Sequence, residues 1–340
     1  MDLFCGAGGL SYGLMQAGIE IRAGIDVNPQ CRYPFETNLG ATFYEMSVRD
    51  ISAHDIQSMW SKGSARLLAG CAPCQPFSSQ RRGADSKKHS AWNLLLEFGR
   101  LAQEIRPEYL TMENVAPLRK QEVFHHFLKD LSSKGYYIDY DVLKAEQYGL
   151  PQRRRRLVLI ASRKGPIALP KKWVSREDET TVVQALAGLP PLQAGEVDPD
   201  DPLHRARKLS PINVARIRAS KPGGTWEDWP EELRAPCHTR SSGKSFGSFY
   251  GVMNPGEPAP TITTEFFNYG SGRFGHPYQS RTITPREAAI LQGFPRDYSF
   301  IPPNNPAHFT TLGKMIGNAV PPVLGFLVGK RIIEDASNHD

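Results

Sequence analysis

Between residues 1 and 165, short apolar runs alternate with helical patterns, and that alternation leaves few folds open. Residues 1–5, 21–27, 66–69, 109–112 and 157–161 read as strands, and a further candidate strand precedes Asp50. A helix starts over residues 10–17, and residues 94–105 and 123–131 carry apolar side chains at helical spacing. Arg106-Pro107 stops the second of these helices and Lys134-Gly135 the third. Strands alternating with helices predict a doubly wound, mostly parallel α/β sheet. From about residue 165 the texture changes: Pro, Gly, Ser and Trp rise and helical periodicity weakens until about residue 279. That middle reads either as a loop-rich insertion or as a smaller recognition domain. Thr284-Pro-Arg-Glu then restarts regular structure, with Thr as N-cap, Pro at the first position and Glu in the first turn. Residues 321–333 read as a closing helix. The expected division is 1–165, 166–279, and a segment 280–340 that returns to the first domain.

Composition narrows the class. The 340 residues are 40% apolar and 10% aromatic, which suits a packed core and argues against wholesale disorder. Lys and Arg exceed Asp and Glu by 41 to 35, a net +6 that permits a polyanionic partner without requiring one. No apolar run approaches the ~18 residues of a membrane span, and residues 1–9 lack the regions of a signal peptide. Five cysteines, an odd and sparse set, do not suggest a disulfide scaffold. The expectation is a soluble intracellular protein whose cysteines are buried, metal-bound or catalytic.

Four segments carry chemistry. Asp2-Leu-Phe-Cys-Gly-Ala-Gly-Gly runs a strand into Gly6, Gly8 and Gly9 and then a helix, a turn that lets a ligand approach the helix N-terminus. Asp26, twenty residues after Gly6, stands where ribose hydroxyls are usually held, and Asp50 ends a further segment where it could meet an adenine amine. The glycine spacing departs from G-x-G-x-x-G, so a mononucleoside suits the turn better than a nicotinamide dinucleotide; a plain tight turn is the alternative. Next comes Gly70-Cys-Ala-Pro-Cys-Gln-Pro-Phe-Ser. Cys71 and Cys74 are spaced as a redox pair or half a zinc site, yet no second ligand pair completes the about four ligands zinc needs. Cys74, held between Pro73 and Pro76 past a strand end, is better placed as a nucleophile. Glu113 also stands at a strand end, as a site carboxylate or an ordinary surface glutamate. Last, Gln152-Arg-Arg-Arg-Arg runs into a buried strand, so Arg154 and Arg156 share one side and Arg153 and Arg155 the other.

These segments, in this order, resemble the cytosine-C5 DNA methyltransferase family. The resemblance rests on residues 2–9, Pro73-Cys-Gln, Glu113-Asn-Val, Gln152-x-Arg-x-Arg, Arg281 with 284–295, and Gly317-Asn-Ala-Val-Pro-Pro. It covers residues 1–165 and 280–330, and the stretch from His89 to Leu94 matches only loosely. It implies a class I, Rossmann-like methyltransferase fold and S-adenosylmethionine as cofactor. Phe4, Gly6, Gly8 and Gly9 would hold the methionine and ribose, Asp26 the hydroxyls, Val27 an adenine face and Asp50 the adenine amine. Ile51, Pro73 and Leu94 would belong to the same pocket, and Asn318 and Val320 would close its methionine end.

The implied reaction is methylation of C5 in a flipped-out cytosine of a specific short duplex DNA sequence. Cys74 adds at C6, Glu113 hydrogen-bonds or protonates N3, and Arg156, with Arg154 in the same catalytic set, holds O2. A stacked base is out of reach, so flipping it costs a few kcal/mol. Residues 78–90 read as a phosphate-clamping lid or a surface loop; Gln75, Ser78, Gln80 and Arg81 are the DNA contacts expected there. Residues 203–225 hold six Lys or Arg and no acid, and 233–256 hold Arg234, Arg240 and Lys244 with none. By resemblance 166–279 is the target-recognition domain, Thr261-Ile262 lies near the target base, and Arg240 and Arg273 read bases. Trp226 to Glu232, acidic and aromatic, reads as local packing. The resemblance further implies a monomer in the bacterial cytoplasm, nucleoid-associated, with no metal and no membrane. A tRNA cytosine-5 methyltransferase on the same scaffold and a catalytically silent DNA-binding regulator are the alternatives.

Overall fold

The computed structural model describes residues 1–61, 63–73, 90–236, 238 and 249–339, and in residues 90–92 the backbone alone. Two compact units emerge: Met1–Ala145, Arg155–Trp173 and the chain from Ala319 onward form the first, and Glu146–Arg154 with Val174–Asn318 the second.

The first half of the chain runs β1 (Asp2–Leu3), α1 (Gly9–Gln16), β2 (Ala23–Asp26), α2 (Arg32–Leu39), β3 (Thr42–Glu45), α3 (Ala53–Met59) and β4 (Leu67–Gly70). It continues through α4 (Ser90–Ile105), β5 (Tyr109–Val115), α5 (Glu122–Ser133), β6 (Tyr137–Lys144) and β7 (Arg155–Ser162). The helices α6 (Val182–Leu186), α7 (Pro211–Ala219), α8 (Pro285–Leu291), α9 (Phe309–Gly317) and α10 (Pro322–Ser337) follow.

The seven strands of the first unit form one sheet in the order β3-β2-β1-β4-β5-β7-β6. β1 to β5 pair in parallel, and β7 runs antiparallel to both β5 and β6. Continuous apolar runs make the central strands: every residue of β4 is buried, as expected of strands covered on both faces. Phe98 of α4 and Phe124 and Phe127 of α5 join one core with Leu110 and Leu159, the rings of Phe98 and Phe127 lying 5.8 Å apart. The order reverses between β1 and β4, and such a switch opens a crevice beyond the carboxyl ends of the strands.

The closing helix α10 lies against α1 at backbone contact. A Cβ on Gly13 would fall 1.8 Å from the Pro322 carbonyl oxygen, and one on Gly325 2.3 Å from that of Leu10. Gly13→Ala therefore forces α10 off α1. Its gain in helix propensity, about 1 kcal/mol, is outweighed by an overpacking cost of about 1–3 kcal/mol or more. The variant is expected to melt several degrees below the parent in a thermal scan; melting at or above the parent would contradict the contact.

The second unit has few regular elements, and α8 anchors it. The Thr284 hydroxyl accepts from Glu287 N (3.1 Å) while the Glu287 carboxylate accepts from Thr284 N (2.7 Å), closing the expected capping box. The same carboxylate takes a two-pronged ion pair from Arg281, both bonds 2.7 Å, with neither side chain more than 1% exposed. Burial works against the Glu287 charge, but Arg281 holds its carboxyl below the ordinary range. α8 packs on α6 and α9, and the Thr284 hydroxyl meets His204 Nδ1 at 3.1 Å. For these reasons the expected third segment, 280–340, divides: the chain through Asn318 groups with the second unit, and Ala319 onward with the first.

Against the expectation that no run is apolar enough to span a bilayer, Phe309–Ser337 passes by length and composition, and 72% of its most apolar window is buried inside the protein. Two helices, α9 and α10, make up this stretch, interrupted between Asn318 and Pro321.

Candidate active site

The glycine turn follows from its φ angles. Phe4 (63°), Gly6 (52°) and Gly8 (91°) are all left-handed, so the chain reverses within five residues and enters α1 with Gly8 as N-cap. Phe4 is the non-glycine member, and such a residue costs about 1–3 kcal/mol and persists only where its surroundings hold the turn. Asp26, at the end of β2, ties down the turn two residues on: its carboxylate accepts from Gly6 N and from Asn28 N, both at 2.9 Å. Next to it, Val27 is 67% exposed, an apolar side chain left open at the strand ends. Nothing lies within 4 Å of the place where a Cβ on Gly6 would stand. An open backbone turn, a strand-end carboxylate and an uncovered apolar side chain fit a nucleoside cofactor.

Of the other expected cofactor residues, Gly9 opens α1, Asp50 and Pro73 are exposed, Ile51 is 3% exposed, and Leu94 is half-buried on the core. Asn318 is exposed at the C-cap of α9 in the second unit, whereas Val320 is 5% exposed in the first. One residue was passed over. Asp2 is buried in β1 and accepts from the Ser11 hydroxyl at 2.6 Å, tying β1 to α1, and burial pushes its carboxyl up to about 6. A charged residue inside an otherwise apolar strand was the signal for it.

Sheet register assembles the second cluster. Gly70 pairs Met112 in the parallel β4–β5 ladder, so Cys71, one step on, stands beside Glu113 and on the same face. In the antiparallel β5–β7 ladder Val115 pairs Arg156, which places Arg156 diagonal to Glu113, again on that face. The side chains meet accordingly. Arg156 Nε lies 2.9 Å from Glu113 Oε1, the two being 15% and 5% exposed, and the Cys71 thiol donates to Glu113 Oε2 at 2.9 Å. Asn114 donates to the Ala72 carbonyl at 3.0 Å, joining the segment after β4 to the end of β5.

Cys74, Gln75, Ser78, Gln80, Arg81 and Arg240 lie outside the described residues. Among the described cysteines, burial pushes the Cys5 thiol well above its ordinary range and that of Cys31 up to about 12. Neither supplies a thiolate. Among the described residues no three His, Cys, Asp or Glu side chains gather as a metal site would require.

The arginine run alternates as expected, with Arg153 and Arg155 exposed and Arg154 and Arg156 withdrawn. The two withdrawn residues nevertheless part company. Arg154, 2% exposed, donates to the carbonyls of Ile262 (3.0 Å) and Gly317 (3.1 Å) within the second unit. It holds backbone in place, whereas Arg156 holds Glu113. Gln152 completes this knot, accepting from Ile262 N at 3.0 Å and donating to Gln292 at 2.8 Å. Thr261 donates its hydroxyl to the Arg153 carbonyl at 2.7 Å.

The basic middle is only partly free for a polyanion. Arg205 and Arg216, over the rings of Phe309 and of Trp229 and Tyr250, are half-buried, whereas Arg207, over Phe267, stays exposed, as do Lys208, Arg218 and Lys221. Arg273 packs its stem on Gly251, and its Nε is buried without a hydrogen bond, an arrangement that turns that nitrogen away from solvent. Trp226 and Trp229, 5% and 2% exposed, form the local aromatic cluster expected of that stretch.

Comparison with known proteins agrees with this geometry. Residues 1–334 match the family described as C-5 cytosine-specific DNA methylase. The Type II methylase M.HgiDII of Herpetosiphon aurantiacus is 43% identical over 98% of this chain and 94% of its own length. The Type II methyltransferase M1.BsuMI of Bacillus subtilis is 31% identical over 96% of this chain and 78% of its own. A candidate DNA modification methyltransferase encoded within an E. coli prophage shares the fold, with a TM-score of 0.73 at 24% identity, covering 98% of this chain and 97% of that one. With its seven-stranded sheet and a family match running nearly end to end, the chain belongs to the C-5 cytosine-specific DNA methyltransferases.

Proposed function

We propose that this methyltransferase takes its methyl group from S-adenosylmethionine and delivers it to C5 of a flipped-out cytosine in a specific duplex DNA sequence, as a modification enzyme of the Type II kind. The first unit is the catalytic and cofactor-binding part, and the second, with its exposed Lys208, Arg218 and Lys221, the target-recognition part. The observation that carries the reading is the Glu113 carboxylate, almost buried, fixed on one side by Arg156 and on the other by Cys71 at the carboxyl end of the sheet.

Cytosine C5 is a poor nucleophile on its own. The Cys74 thiolate adds at C6, which makes C5 enamine-like and moves charge onto N3 and O2. Glu113 meets N3 as hydrogen-bond donor or acid, and Arg156 offers its remaining N–H groups to O2. Bound beside the glycine turn, S-adenosylmethionine supplies an electrophilic sulfonium methyl. Phe4, Gly6, Gly8 and Gly9 would shape the turn for it, with Asp26 at the ribose, Val27 at the adenine face, and Asp50, Ile51, Pro73, Leu94 and Val320 in the same unit around them. Water then removes the C5 proton and Cys74 leaves by elimination. Arg154, through Ile262 and Gly317, acts as a positioning residue.

Transfer of tritium from methyl-labelled S-adenosylmethionine tests the substrate. Label is expected in duplex DNA, at cytosines within one short sequence, and not in tRNA. Label in tRNA alone, or none in either, would replace this reading by one of its two alternatives.

A further inference from the structure

The sequence singles out Cys71 by its spacing from Cys74, and the roles given to Cys74, Glu113 and Arg156 leave it unused. Its surroundings are built with unusual rigidity. On one side, Cys71 N donates to the Leu3 carbonyl at 3.3 Å, continuing the β1–β4 ladder one residue past the strand. On the other, Asn114 holds the Ala72 carbonyl at 3.0 Å. Just before it, Gly70 has no room for a side chain: a Cβ there would lie 3.0 Å from both the Leu3 carbonyl oxygen and the Phe98 ring. The thiol thus stands on backbone hydrogen-bonded at Cys71 and at Ala72, and it donates to Glu113 Oε2 at 2.9 Å.

A glutamate side chain turns about three torsions, and one anchor leaves its carboxyl plane free to swing. Arg156 Nε holds Oε1. The Cys71 thiol donates to Oε2, so the plane is set by an ion pair from β7 at one oxygen, which accepts no hydrogen bond, and by a thiol hydrogen bond from just past β4 at the other. A carboxyl group that must meet a ring nitrogen at hydrogen-bond distance works only if it is held to within about half an ångström of its productive place. We infer that Cys71 is a positioning residue for Glu113, its thiol proton setting the carboxyl plane for contact with the target base. This rests on the role given to Glu113 above, and it assigns Cys71 no redox or zinc chemistry.

The test is a double-mutant cycle read by single-turnover methylation of a duplex containing the target sequence. Cys71→Ala is expected to lower the rate about tenfold, or about 1.4 kcal/mol of barrier, with binding of DNA and S-adenosylmethionine unchanged. Cys71→Ser, which keeps a donor of similar size, is expected to restore most of the rate. In the Glu113→Gln background, Cys71→Ala is expected to change the residual rate by less than about twofold, since the two residues act as one unit. A full tenfold loss in that background, or a serine variant as slow as the alanine one, overturns the inference, and both readings hold even if alanine lowers the melting temperature. If Glu113→Gln alone methylates at the parental rate, the role of Glu113 itself fails and Cys71 falls with it. That outcome is distinct from a slow Glu113→Gln on which Cys71→Ala still acts in full.

Discussion

Cys74→Ala is expected to abolish methyl transfer while binding of duplex DNA persists. The expected loss is at least about 10³-fold, because the variant lacks the thiol to which the proposed mechanism gives the covalent bond that activates C5. No other described cysteine substitutes for it. Cys5 and Cys31 are buried with their thiols pushed far from ionisation, and Cys71 donates its proton to Glu113. DNA binding survives because it draws on phosphate and base contacts that the thiol does not make. Two measurements check this: tritium transfer from labelled S-adenosylmethionine, and retention of a labelled duplex in a gel. The parent should also form a denaturation-resistant adduct with DNA carrying 5-fluorocytosine at the target, since fluorine cannot leave C5 as a proton does. Normal turnover by the alanine variant would end the covalent mechanism.

The second large effect is expected from Glu113→Gln, a loss of about 10²–10³-fold in the rate of methylation with little change in affinity for S-adenosylmethionine. Glutamine keeps the length and one acceptor, so Arg156 retains a partner, whereas the Cys71 thiol faces an amide N–H and no longer donates. The group loses the ability to exchange a proton with N3. Cofactor affinity is expected to hold because the glycine turn is ordered from elsewhere, through Asp26. Calorimetric titration with the cofactor alongside single-turnover rates separates the two terms. A large drop in cofactor affinity with a preserved rate would show that Glu113 had been given the wrong task.

How much of this was legible in the chain depends on the range of the interaction concerned. The helix start at Thr284 was readable because its cap is closed by Glu287, three residues away. β6 was not: only Leu143 of its residues is buried, and Asp139 and Asp141 interrupt the rest, so no apolar run marks it at the sheet edge. The basic stretch 203–225 was legible as charge, but not that Arg205 and Arg216 are half-buried over aromatic rings supplied from 229 to 309. The arginine run showed which residues turn inward, yet not where each one goes.

Local order, then, was in the amino-acid sequence: strand–helix alternation, the glycine turn and its carboxylate twenty residues on, and the motifs that carry the family. Each of these is a periodicity or a short spacing that backbone geometry reads without help from the rest of the chain. The tertiary structure alone decided that Cys71 faces Glu113 across 42 residues, that Arg154 and Arg156 serve different units, and that the chain from 280 to 318 belongs with the second. Those outcomes hang on strand register and on where buried charges find partners, and both are set only when distant segments meet.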